Sequence, residues 1–253
     1  MRNGTPQIAS LTRALLTLEA MISGGRTRNL SDVARDLGMP VATVHRQVTT
    51  LVAEGFLVRL ANGHYAAGAR LARMLGHVDE KQLIASAAAP VLHRLASRLG
   101  CVVQLGTFEN DMVTYRIKTG QGAGDLFTKV GMQLEAYCSG IGKVLLAHLP
   151  EGEREDYLAA GPFPALTPNT IVDPDRLRIA LQDVRQNGFA TDDGEIHDGI
   201  LCVAVPIHSA ADDRVLAAIS VTRPKRPGRR MTTERTVHYL EQAAREIGAA
   251  AFA

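Results

Sequence analysis

Apolar residues recur at two different periods along this chain, and the change between them falls about one third of the way in. Ile8, Leu11, Leu15, Leu18 and Met21 or Ile22 repeat at helical spacing, predicting a helix over residues 7–22 that ends at Gly24-Gly25. Residues 31–37 read as a second, short helix with Ser31 as its N-cap. Gly38-Met39 makes a tight turn, and Pro40 suits the first position of the next helix, where its missing N–H costs nothing. Within residues 40–53, Val44, Val48, Leu51 and Val52 share one face and should point inward. Val41, Ala42, Thr43, His45, Arg46 and Thr49 are left outward. Residues 56–60 and 64–66 then flank Asn62-Gly63, a strong hairpin signal. Leu71, Leu75, Val78, Leu83 and Ile84 predict a linker helix reaching Ala89. Pro90 should open the following helix, which Gly100 caps.

Beyond Gly100 the period shortens. Residues 102–108 and 112–118 predict a hairpin around Glu109-Asn110-Asp111, and the glycines of residues 119–124 predict a mobile loop. Helices are expected at 140–148, 152–159, 173–186 and 232–251, with strands at 189–192, 201–208 and 215–222 and a turn at 210–213. Along residues 201–208, Leu201, Val203, Val205 and Ile207 share one face; Cys202, Ala204 and Pro206 share the other. Ile219 and Val221 likewise oppose Ser220 and Thr222. One side of this sheet is bulky and should meet helices. The other is small and partly polar, consistent either with a packed core whose hydroxyls are satisfied or with a ligand cavity. The fold class is therefore α+β: a helix-turn-helix with a wing over residues 1–76, a linker helix over 77–89, and a mixed α/β unit over 90–253.

Charge sharpens that division. The chain of 253 residues carries a net charge of only +2. Residues 1–76 nevertheless hold nine Lys/Arg against four Asp/Glu, a basic front end of the kind a phosphate backbone requires. Two helices around a glycine turn could be a mere packed pair, and the local charge argues against that. Few aromatics accompany it, so a stacking platform for single strands is not expected. The bases and phosphates of duplex DNA should meet Pro40, Val41, Ala42, Thr43, His45, Arg46 and Thr49, with Arg59 and His64 of the wing on the backbone. No stretch approaches the ~20 apolar residues of a membrane helix, and the polar first six residues lack a signal core, so a cytoplasmic protein is expected. Cys101, Cys138 and Cys202 lie far apart without C-x-x-C spacing. Buried small side chains are expected there, with neither a disulfide framework nor a metal site nor a cofactor.

Several segments together resemble the IclR family of bacterial regulators. Arg13-Ala14-Leu15, the run from Leu37 to Arg46, and Gly63-His64-Tyr65 resemble its DNA-binding half. The run from Cys138 to Ala147, Gly188-Phe189-Ala190, Asp192 to Glu195, Cys202 to Pro206 and Ala217 to Val221 resemble its effector half. The similarity runs from about Leu11 to Ala250. It implies a GAF-like effector-binding domain, a homodimer or homotetramer, and control of catabolic genes by a small-molecule effector. By position it also implies effector contacts at Gly140, Ile141, Asp192, Cys202, Ser220 and Thr222, where Ile141 is larger than the family's usual small residue. Leu126, Leu134 and Tyr137 are candidates for the apolar wall.

Ser139 as an N-cap leaves the amides of Gly140-Ile141-Gly142 free for an anion, and the glycines allow close approach. The expectation is a small organic acid (a hydroxy-, keto- or aromatic acid) with its carboxylate on those amides and Ser220 or Thr222, and a hydroxyl on Asp192. A repressor is favoured over an activator. Two other classes stand beside this one: an enzyme using Cys202 with His197 and Asp192, and an architectural DNA-binding protein that senses nothing.

Overall fold

The computed structural model describes residues 7–23, 28–76, 79–209, 212–225 and 231–251. The chain divides into two compact units, Met1–Asp79 and Glu80–Ala253.

In the first unit, α1 (Ala9–Ser23), α2 (Leu30–Asp36) and α3 (Val41–Ala53) precede a hairpin of β1 (Leu57–Arg59) and β2 (Tyr65–Ala67), followed by α4 (Ala69–Leu75). The inward face of α3 is as the pattern requires: Val44 and Val48 are buried with Met21, Val33, Leu57 and Tyr65, while Leu51 and Val52 pack at the edge. The cap of α2 is Asn29 rather than Ser31. The Asn29 side chain accepts from the Ser31 and Asp32 amides at 2.9 and 3.0 Å, so the helix starts earlier than predicted. Pro40 stands just outside α3 with ψ 137°, an extended cap residue rather than the first helical one.

The Leu60 amide donates to the His64 carbonyl at 2.8 Å, closing Ala61–Gly63 as a three-residue turn. Gly63, at φ 77°, takes the left-handed position that such a loop needs. On α1 the buried residues are Thr17 and Met21, while Leu11, Leu15, Leu16 and Ile22, with Ile8 just before the helix, face outward.

The predicted linker helix does not run unbroken to Ala89. Helix α4 ends at Leu75, and α5 (Glu80–Leu99) carries Pro90 in its interior. Proline there costs about 3 kcal/mol. The buried row Ile84, Ala88, Val91, Leu92 and Leu95 continues across it, and that packing outweighs the local break. The predicted stop at Gly24-Gly25, the residues His77 and Val78, and part of the 210–213 turn lie outside the described residues.

The second unit is built on an antiparallel sheet ordered β5-β4-β3-β8-β7-β6. Its strands are β3 (Val102–Glu109), β4 (Met112–Thr119), β5 (Gln133–Glu135), β6 (Ala190–Asp192), β7 (Ile200–His208) and β8 (Val215–Pro224). Alternation decides what covers each face. Val203, Val205, Ile207, Ile219 and Val221 bury against α5 and α9 (Thr233–Ala251). Ala204 and Ala218 face α6 (Gly140–Ala147), which packs with α7 (Glu151–Ala159) and α8 (Pro174–Asn187). Among the described residues no helix is long and apolar enough to cross a membrane. Residues 120–126 form successive turns rather than strand or helix.

Candidate functional site

The surface of the first unit that matches the DNA-reading prediction is the outer side of α3. Val41, Ala42, His45, Arg46 and Thr49 are exposed and Thr43 is half-buried, with Pro40 at the helix start. The Thr49 hydroxyl donates to the His45 carbonyl at 2.8 Å, leaving its lone pairs outward. Arg28, Arg35 and Arg70 are each tied to an acid, Asp36, Asp32 and Glu54 respectively. Arg46 and Arg59 have no such partner among the described residues, so both charges are available to phosphate. His64 is half-buried, with its Nδ1 enclosed and unpartnered.

In the second unit, register places Asp192 beside Cys202 and Cys202 beside Thr222 on adjacent strands. Ala204 lies beside Ser220, and Ser220 beside Gln104. These side chains form a polar floor facing the start of α6. Thr222 Oγ1 donates to Gln104 Oε1 at 3.2 Å, Gln104 Nε2 donates to Thr128 at 2.8 Å, and Cys202 Sγ lies 3.2 Å from Thr222 Oγ1. Between floor and helix is a cavity lined also by Tyr115, Leu126, Phe127, Ser139, Gly140, Ile141, Ile196 and Ile200. In this conformation about 10 Å³ of it is open to the centre of a water molecule, room for about one water.

Helix α6 packs tightly at Gly142 against the backbone of the segment that precedes it, and rests on the floor at ordinary contact distance. A Cβ on Gly142 would stand 2.1 Å from the Ala136 carbonyl oxygen; one on Gly140 would meet Ala204 and Cys202 at 3.4 and 3.7 Å. Packing alone therefore accounts for the glycine at 142, whereas a Cβ on Gly140 would make only ordinary contacts, so packing does not account for that glycine. Ser139 is the cap, and its hydroxyl accepts from the Gly142 amide at 3.0 Å. That leaves the first-turn amides of Gly140 and Ile141 without an intrahelical partner, a narrower anion site than the three amides expected.

Asp192 is fully buried. One of its oxygens accepts from the Glu195 amide at 2.7 Å; the other makes no hydrogen bond of regular geometry, with the Ile196 amide and the Cys202 thiol as further polar neighbours of the carboxyl. Burial raises its carboxyl above the ordinary value, against the pull of the Glu195 amide and the Lys143 charge. Lys143 of α6 is itself buried and pairs with Glu195, whose own pKa burial also raises. The Asp192–Glu195 turn is pinned from outside by Thr170 and Thr167, whose hydroxyls donate to the Glu195 and Gly194 carbonyls at 2.6 Å.

Of the predicted contacts, Gly140, Ile141, Asp192, Cys202, Ser220, Thr222 and Leu126 converge on the cavity. Leu134 and Tyr137 do not. Leu134 sits on β5 opposite Val113, and the Tyr137 hydroxyl donates to the Pro164 carbonyl in a separate aromatic cluster. Gln104, Tyr115 and Thr128 were missed. A lone glutamine in the apolar run 102–108 was the available signal.

The cysteine chemistry is equally plain. Burial, then the Asp192 charge, pushes the Cys202 thiol far up, while His197 is exposed and bonded to the Asp198 carbonyl. No activated nucleophile results. Cys138 is buried, its thiol raised by burial to about 12; Cys101, expected to be buried, is only half-buried. Among the described residues no group of His, Cys, Asp or Glu could hold a metal ion.

Residues 10–61 match the IclR helix-turn-helix domain, and residues 76–249 match the bacterial transcriptional regulator IclR C-terminal domain. The chain belongs to the IclR family. It is similar to the HTH-type transcriptional regulator XynR of Escherichia coli (strain K12), with 30% identity over 86% of this chain and 86% of that one. The transcriptional repressor IclR of the same organism is 28% identical over 96% of this chain and 90% of its own. Among solved structures, an IclR homolog from Microbacterium hydrocarbonoxydans complexed with 4-hydroxybenzoate superimposes with a TM-score of 0.62 at 29% identity, covering 96% of this chain and 98% of that one. This IclR-family chain is accordingly a DNA-binding transcriptional regulator with an effector-binding unit, and not an enzyme.

Proposed function

We propose that this regulator is a repressor whose hold on its operator is adjusted by a small hydroxy acid bound between α6 and the sheet. The observation that carries the reading is the buried Asp192 carboxyl, one oxygen of which makes no regular hydrogen bond, in a cavity that the first turn of α6 also lines. A carboxylate is favoured at the Gly140 and Ile141 amides, where the helix dipole adds to their hydrogen bonds. Asp192 repels a second carboxylate but accepts a hydroxyl. Cys202, Ser220 and Thr222 fit the middle of such a molecule, and Leu126 and Ile141 its apolar side. The 4-hydroxybenzoate held by the Microbacterium relative has one group of each kind.

On the DNA side, Val41, Ala42, Thr43, His45, Arg46 and Thr49, with Pro40 at the helix start, enter a major groove, and Arg59 and His64 approach the backbone. One such helix reads few base pairs, so a homodimer on paired half-sites is needed. The outward apolar residues Leu11, Leu15 and Ile22 on α1, with Ile8 just before it, supply a surface for that pairing. Helix α6 offers the route for coupling. Its first turn lies at the cavity, and its far end, through Leu145 and His148, shares a groove with Glu80, Lys81 and Ile84 of α5. A ligand that displaces the first turn is felt where α5 begins.

The test is a thermal-shift screen of hydroxy-, keto- and aromatic acids, including 4-hydroxybenzoate, on protein shown to be ligand-free. Ligand at a hundred times its dissociation constant adds about 2.7 kcal/mol of stability. If no acid in the panel moved the melting temperature, the cavity would not be an acid sensor.

A further inference from the structure

The walls of the effector cavity are tied down unequally. In this conformation the cavity has room for about one water, so an organic acid enters only after part of the wall moves. The floor is held by strand ladders, and α6 is held at Gly142 against the Ala136 backbone. The turn between β6 and β7 is fixed as well. Besides the bonds from Thr167 and Thr170, Lys225 Nζ donates to the Asp193 carbonyl at 2.6 Å and the Lys225 amide to the Gly199 carbonyl at 2.7 Å. The remaining cover is Leu126, Phe127 and Thr128, from the run of turns between β4 and β5. Gly122 and Gly131 bound that stretch at φ 81° and 82°, with no backbone crowding the place where a Cβ would stand. Glycines in such open, left-handed positions absorb a change of backbone angle at little cost.

Two contacts join this cover to the fixed wall. On the outside, the exposed rings of Phe127 and His197 stack at a centroid distance of 5.5 Å and an interplanar angle of 17°. On the inside, the Thr128 hydroxyl accepts from Gln104 Nε2 at 2.8 Å, with both residues buried. Lys118 of β4 also donates to the Leu126 and Thr128 carbonyls, and its flexible four-carbon stem can follow them. We propose that residues 122–131 are a gate on the effector cavity, latched outside by the Phe127–His197 stack and inside by the Thr128–Gln104 bond. Acid enters and leaves only while both contacts are broken. The use of the gate rests on the cavity being an acid site; the gate itself does not.

Cys202 reads the gate without any ligand, because its side chain lines the cavity and a reagent reaches it only through the opening. Iodoacetamide labelling of the full chain is followed by peptide mass spectrometry at Cys202 and at Cys138, which is buried outside the cavity. Phe127→Ala/Thr128→Val should speed Cys202 labelling about tenfold or more, and His197→Ala by a smaller factor, with Cys138 labelling unchanged. An unchanged Cys202 rate in the two-site variant overturns the proposal. So does a rise shared equally by Cys138, which would mean general loosening of the unit. In stopped-flow with an acid that thermal shift has shown to bind, Phe127→Ala should quicken association and dissociation by the same factor and leave Kd unchanged. A changed Kd with unchanged rates also overturns it. If no acid binds while Cys202 responds as stated, the acid reading fails and the gate stands.

Discussion

Replacing Lys143 by methionine removes the charge from α6 while keeping the length and most of the packing of the side chain. In the native protein the Lys143 and Glu195 side chains are 6% and 9% exposed, and the second oxygen of Glu195 has no partner. The variant therefore strands a buried carboxylate beside Asp192, another buried acid. Breaking such a pair from one side costs about 3–5 kcal/mol. At about 2–4 °C per kcal/mol for a unit of this size, the melting temperature of the C-terminal unit should fall by about 6–20 °C. Lys143→Met/Glu195→Gln leaves no uncompensated charge and should recover most of the loss, a coupling that the double-mutant cycle isolates. The pH dependence has a definite sign. Burial raises Glu195 and Asp192, and the Lys143 charge opposes that, so its removal raises both further. An acid whose folded pKa lies above its unfolded value binds more protons folded than unfolded. Its cost is absent below the unfolded value and complete above the folded one. The Lys143→Met deficit should thus be larger at pH 7.5 than at pH 5, as followed by calorimetry. A fall of under about 2 °C, an unrecovered double variant, or a deficit independent of pH would refute the reasoning.

Arg46→Ala should weaken operator binding by about 1–3 kcal/mol if the guanidinium reads a base, measured by gel shift at matched salt; unchanged affinity removes Arg46 from the interface. Asp192→Asn removes a charge that burial disfavours, so it should raise the melting temperature at neutral pH, with the gain fading toward pH 4. It should also erase the preference for a hydroxy acid over its deoxy analogue in titration calorimetry; a retained preference would place the hydroxyl elsewhere. Gly142→Ala should be clearly more destabilising than Gly140→Ala, because only the former forces a Cβ to within 2.1 Å of a carbonyl oxygen; equal melting temperatures would contradict the packing described for α6.

The sheet faces were legible because side chains on a strand alternate strictly: Val203, Val205 and Ile207 could only lie opposite Cys202 and Ala204. Ser139 was legible as a cap for an equally local reason. Tyr115 was not. A bulge between Leu105 and Gly106 pairs Gly106 with Tyr115 rather than Arg116, which flips the faces of β4 midway, and sequence alternation carries no trace of that. Pro90 misled because local propensity favours a helix start, whereas the tertiary row from Ile84 to Leu95 decides the matter. The short edge strand β5 escaped notice, and with it the reason that Leu134 and Tyr137 face away from the cavity. On α1 the apolar spacing was read correctly, but spacing alone does not say which side of a helix meets its own core and which stays exposed.

The central claim is that one unit reads duplex DNA while the other adjusts that reading through a bound acid. Fluorescence anisotropy of a labelled duplex from upstream of the chain's own gene, titrated with protein at fixed salt with and without the acid found by thermal shift, tests it in one experiment. The account predicts tighter binding to that duplex than to a random one, and a change of about fivefold or more when the acid is present. Equal affinity for both duplexes, untouched by the acid, would contradict it.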